Sequence, residues 1–143
     1  MREGRIERAI REHLAAHPDE AFTTEHLGVV CYPNAPSIER KHRVAVIRAA
    51  DKVLTGDPDW RPDRSCRRGG TVILYNASSV MSTAMARVLR HGVYTIRERL
   101  HQDTRDYLEP HGWAWGTQHQ EEVAEDVAKH LAFCDAATLE EAE

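Results

Sequence analysis

Proline and glycine cut the first 76 residues of this chain into short pieces, and what fits between the breaks is three helices and a hairpin. Pro18 ends a first stretch, residues 2–17, in which Ile6, Ile10 and Leu14 recur at i, i+4 and i+8 with Ala9 beside them. Phe22-Thr23 reads as a short extended segment, with Thr23 or Thr24 as an N-cap. A short second helix then runs to about Cys31, using Leu27 and Val30 as apolar contacts. Pro33 and Pro36 bracket the turn PNAPS, where the residues before proline are biased away from helix. Ser37 offers an N-cap for a third helix over 37–54, SIERKHRVAVIRAADKVL. TGDPD is a loop. Two strands follow, Trp60 to about Cys66 and Thr71 to Tyr75, joined by RRGG, in which Gly69 and Gly70 can take the positive φ of a tight hairpin. TVILY is rich in β-formers.

The cations of the third helix raise the functional question, because the chain as a whole carries a net charge of −4. The charge is unevenly spread. Residues 37–70 hold nine Lys/Arg against five Asp/Glu, and residues 71–97 add three arginines and no acid. Residues 98–143 hold twelve acids against three bases. An acidic pI therefore leaves room for a nucleic-acid surface, confined to one face. On a helical projection Ile38, Ala45, Val46, Ala49, Ala50 and Val53 share one broad sector, with His42 inside it. Arg40, Lys41, Arg48 and Asp51 fall opposite, with Val44 among them. A merely solvated face balances its signs and has no use for a central β-branched apolar residue. A major-groove face uses cations for phosphates and guanine edges, and a methyl-bearing side chain for thymine.

FTTEHL at the head of the second helix, HRVAVIRAADKVL as the third and the hairpin WRPDRSCRRGGTVILYN together resemble a winged helix-turn-helix domain, over roughly residues 2–76. The resemblance implies a winged helix-turn-helix domain of three helices and a two-stranded wing over 1–76; with the residue pattern beyond it, a helical extension over 77–134 and a frayed tail over 135–143, the fold expected is mainly α. The resemblance also implies double-stranded DNA as partner, with Ser37, Arg40, Lys41, Val44 and Arg48 in the major groove. Arg64, Arg67 and Arg68 would cluster at the wing tip, to enter the minor groove or clamp its phosphates. The Pro-containing turn between helices two and three is longer than the tight turn of simple repressors. The function expected is sequence-specific transcriptional regulation. The rival is a protein-interaction module, because winged helices also bind proteins and the last third is strongly acidic.

Beyond Ser79 the chain reads as helical through SVMSTAMARVLRHG and VYTIRERLHQDTRDYLE, with LRHG resembling a C-cap at Gly92. Leu89, Val93, Ile96 and Leu100 follow a 4-3-4 spacing that Tyr107 rejoins and Asp103 interrupts, beside a stripe of Met81, Met85 and Val88. This predicts a homodimer seam at Leu89, Val93, Ile96 and Leu100; the alternative is that the stripes pack back on the same chain's first and last helices. PHGWAWG is a loop, and Thr117 with Gln120 forms a capping box for an acidic helix carrying Val123, Val127 and Leu131.

Other chemistry is argued against. The nine histidines show no HxH or HExxH motif and no Cys/His pair, so no metal or other cofactor is expected. His42 reads as a hydrogen-bonded core histidine. CRRGGTV lacks the arginine of a cysteine-phosphatase loop, and RRGG lacks the Lys-Ser/Thr ending of a nucleotide loop. Trp60, Tyr75, Trp113 and Trp115 read as packing aromatics. No acid pair or nucleophile–base set can be placed by spacing, so no enzymatic activity is expected. Three widely spaced cysteines, no apolar signal core and no bilayer-length apolar run predict a cytoplasmic protein away from membranes.

Overall fold

A computed structural model of the chain describes residues 3–64, 71–91 and 97–111, together with 122, 125, 127 and 129. In chain order the elements are α1 (Arg5–Ala16), β1 (Phe22–Thr23), α2 (Thr24–Cys31), α3 (Arg40–Thr55), β2 (Trp60–Asp63), β3 (Ile73–Asn76), α4 (Val80–His91) and α5 (Arg97–Leu108), followed by a 3-10 turn at Glu109–His111. The fold is mainly helical with a small antiparallel sheet of order β1-β3-β2. No helix among the described residues is long and apolar enough to cross a membrane.

The sheet has three strands where the sequence predicted two. Phe22 and Thr23 pair with Leu74 and Ile73, so the short extended segment ahead of α2 becomes an edge strand. Trp60 to Asp63 pair with Asn76 to Ile73 on the other side. Thr24 welds the junction: its hydroxyl donates to the Val72 carbonyl at 3.0 Å and accepts from the Val72 N–H at 2.9 Å. The α2 N-cap is Thr23, whose hydroxyl accepts from the His26 N–H at 3.1 Å.

Two apolar clusters hold these elements. Ile10, Leu14, Phe22, Leu27, Cys31, Val46, Ala49, Ala50, Trp60 and Leu74 join α1, α2, α3 and the sheet. Their positions on α1 and α3 are those of the predicted stripes, so the 3.6-residue period carries this half. The close seat of α2 against the following turn depends on Gly28. A Cβ there would lie 2.9 Å from Ile38 Cγ2. Replacing Gly28 by Val should lower stability by about 1–3 kcal/mol through overpacking, despite the helix propensity gained by losing a glycine. Urea denaturation measures this, and adding Ile38→Ala should restore most of the loss.

The second cluster comprises Ala21, Ile73, Met81, Ala84, Met85, Ala86, Val88, Leu100, Leu108 and Val127. Residues 81–86 are all buried, as befits a helix enclosed on several sides. The polar members are satisfied: Ser82 Oγ donates to the Glu20 carbonyl at 2.6 Å and accepts from the Asn76 N–H at 2.7 Å. Ala21 and Ile73 belong to this cluster, so residues 77 onward share a core with the first 76.

Of the four residues of the predicted dimer seam, Leu100 is corrected here. Leu100 is fully buried within its own chain, and Leu89 packs half-buried against the same cluster. The buried stripe of α5 runs through Leu100, Thr104 and Leu108, a 4-4 spacing rather than the heptad through Asp103. Thr104 is tolerated inside because its hydroxyl donates to the Leu100 carbonyl at 2.7 Å. Val93 and Ile96 lie outside the described residues, as do Gly92, Cys66, Arg67, Arg68, Trp113, Trp115 and the Thr117/Gln120 box. Of the last helix, Val127 is described, helical and buried.

Candidate nucleic-acid interface

The exposed side of α3 is set by how the helix begins. It starts at Arg40, with Glu39 as N-cap, two residues later than a Ser37 cap would place it. Here a capping box wins: His42 Nδ1 accepts from the Glu39 N–H at 3.0 Å, so histidine takes the role usually held by glutamate. Ser37 is exposed in the bend that precedes the helix. His42 is half-buried with its ring centroid 4.4 Å from that of Tyr32, and the Arg5 guanidinium lies over the other ring's centroid at 5.4 Å. Arg5 also donates to the Cys31 carbonyl at 2.8 Å, which ties the start of α1 to the turn that delivers α3.

Val46, Ala49 and Ala50 are buried, and the opposite side carries Arg40, Lys41, Val44, Arg48 and Asp51, all exposed. Val44 is 38% exposed; Val29, on α2, is the other large apolar residue left exposed among the described residues. The five cations of the 37–54 stretch separate by their partners. Arg43 is structural, donating to Glu25 at 2.6 Å and to the Ile38 carbonyl at 3.2 Å, and so fastening α3 to α2. Lys52 reaches Glu7 of α1 at 3.5 Å. Lys41 stands 3.6 Å from Glu39, an exposed pair of little energetic weight. Arg40 and Arg48 have no carboxylate partner among the described residues. Their charge is uncompensated on the surface that also presents Val44.

Arg64 follows β2 directly and donates to Asp51 of α3 at 2.6 Å, while residues 65–70 of the hairpin lie outside the described residues. The one acid of the exposed α3 face is thereby neutralised from the hairpin side. Its predecessor Asp63 points the other way and is buried, with Oδ2 3.1 Å from Arg90 and 3.6 Å from Arg87 of α4. Beside the face, an open cleft of about 300 Å³ runs between the start of α1 and α3, with Arg48, Lys52 and Glu7 on its walls. Glu7 keeps this cleft from being purely cationic.

The thiol of Cys31 is buried, and that burial raises its pKa above the ordinary value against the lowering pull of Arg5. It is a packing residue. Among the described residues no group of three or more His, Cys, Asp or Glu side chains is gathered to hold a metal ion. His13 on α1 and His17, the C-cap of that helix, stand at i, i+4; His13 also meets His26 of α2, and all three rings lie against Phe22. That i, i+4 spacing is the signal the sequence offers for this cluster. Comparison with known proteins adds no family: no family model, curated protein or solved structure matches the chain.

Proposed function

We propose that residues 1–76 act as a winged helix-turn-helix domain and that the chain binds double-stranded DNA as a sequence-specific transcriptional regulator. One observation carries this reading: the outer face of α3 pairs an exposed Val44 with Arg40 and Arg48, neither of which has a carboxylate partner among the described residues. The element order and the β2–β3 pairing support it, since they set a hairpin beside that helix. A 16-residue helix is about 24 Å long and fits a B-form major groove roughly 12 Å wide. There Arg40 or Arg48 would donate to guanine O6 and N7 or to phosphate, Val44 would meet a thymine methyl, and Ser37 and Lys41 would hold backbone phosphate. In this reading the Arg64–Asp51 pair fixes the root of the wing against the reading helix. Two copies on a two-fold-related site, as expected from the sequence, would need a surface that does not include Leu100.

The test is selection of bound sequences from random duplexes, then anisotropy titrations at several salt concentrations. Arg40→Ala/Arg48→Ala should lose about 1–3 kcal/mol of base discrimination for each guanine contact removed. For each phosphate contact removed, the slope of log K against log salt should flatten by about 0.9. No duplex binding at low salt, or unchanged affinity in the folded double variant, sinks the reading. Binding of a protein instead would favour the interaction-module alternative.

A further inference from the structure

We propose that His42 is a proton-sensitive positioning residue that fixes where α3 begins, so that acidification loosens the placement of the reading helix. The deciding observation is the direction of one hydrogen bond: His42 Nδ1 accepts from the Glu39 N–H at 3.0 Å. A backbone N–H can only donate, so Nδ1 holds a lone pair and the ring is neutral. Proton uptake turns Nδ1 into a second donor facing the first, and this half of the capping box opens. The bond is present while the ring is neutral and is lost as pH falls. A glutamine in the same place keeps its acceptor at every pH. Histidine is the side chain whose charge changes between about pH 5 and 8, so its use here makes the cap depend on pH.

Charged and titratable neighbours reach this cap from all three helices. Tyr32, the C-cap of α2, lies against the His42 ring with centroids 4.4 Å apart, and the Arg5 guanidinium of α1 stands 5.4 Å from the centroid of that same tyrosine. Arg43, the next residue of α3, is already paired with Glu25 of α2 at 2.6 Å. Glu39 closes the other half of the box: its carboxylate accepts from the His42 backbone N–H, and it also stands 3.6 Å from Lys41. Opening the histidine half leaves the Glu39 N–H to water and the helix start to the Glu39 carboxylate alone. Ser37, exposed two residues upstream, is the intrinsically better cap, so an open box lets the start of the helix shift between the two. Arg40 and Lys41 are the first two residues of α3, and their direction follows that choice. The consequence for DNA rests on the function proposed above; the cap itself does not.

The test is NMR of the full chain between about pH 8 and about pH 5.5, following the His42 ring nitrogens and the Glu39 amide. At the upper end Nδ1 should be the unprotonated nitrogen, and the Glu39 amide resonance should then move with the same midpoint as the His42 ring. His42→Gln should hold that resonance still across the range, whereas His42→Ala should show the open position at both ends. With DNA the readout is the ratio of affinities for a selected and an unrelated duplex, because a protonated His42 also adds charge that favours any duplex. That ratio should fall by up to about fivefold in the unmutated chain at the acid end, the equivalent of one lost helix cap, and stay constant in His42→Gln. A protonated Nδ1 at the upper end, or a Glu39 amide that does not follow the His42 titration, overturns the proposal. So does an equal fall of the ratio in His42→Gln, which assigns it to another of the nine histidines. A chain that binds no duplex removes the DNA reading alone, and the amide readout then decides the cap by itself.

Discussion

Leu100→Glu should abolish the folded state rather than produce a well-folded single chain. Leu100 has no exposed surface and sits among Met81, Met85, Val88, Leu108 and Val127. Truncating such a leucine costs about 2–5 kcal/mol, and introducing an unpaired carboxylate into the same space adds to that. The sum is comparable to the roughly 5–15 kcal/mol that a whole domain possesses. Circular dichroism should show loss of the cooperative thermal transition, whereas Leu100→Met, which conserves volume, should cost less than about 1.5 kcal/mol. A dimer seam makes the opposite forecast, a native-like chain of half the sedimenting mass. Recovery of that species from Leu100→Glu would return Leu100 to a surface.

The burial of Leu100 is hidden in the sequence for a physical reason. Spacings of 4-3-4 and 4-4 both place residues on one helix face, and a threonine in the 4-4 stripe hides it from a search for apolar side chains. Only the Thr104 hydroxyl bond to the Leu100 carbonyl makes that position acceptable inside. The start of α3 is hidden in a similar way. Serine is the better intrinsic cap, but a histidine at the third helical position can close a box that no simple capping pattern includes. By contrast Ile10, Leu14, Val46 and Ala49 were legible because periodicity alone decides which face is buried. β1 was half legible: Phe22 and Thr23 looked extended, but their partner lies some fifty residues away at Leu74 and Ile73. The exposed cations were legible as a set, not by role. Nothing in the spacing separates Arg43, spent on Glu25, from Arg48.

Asp63→Ala should destabilise the chain by about 3 kcal/mol, because it removes the shared carboxylate of two arginines that are themselves mostly buried. Arg87 and Arg90 keep 23% and 31% of their side-chain surface in water, which holds the loss to the lower end of the range for breaking a buried pair. Asp63→Asn retains shape and one acceptor and should cost less. The effect on DNA binding separates placement from charge. Deleting an acid near a polyanion site raises affinity if electrostatics alone matter. Asp63, however, faces α4, while its neighbour Arg64 holds Asp51 of α3, so the two residues anchor the end of β2 from opposite sides. Releasing one anchor should let the hairpin root drift from α3 and leave the Arg64–Asp51 pair to hold it alone. Duplex affinity of Asp63→Ala, measured well below its Tm, should therefore fall despite the added positive charge. A rise in affinity would mean that α4 does not position the hairpin for DNA, and that Asp63 acts there only as a charge.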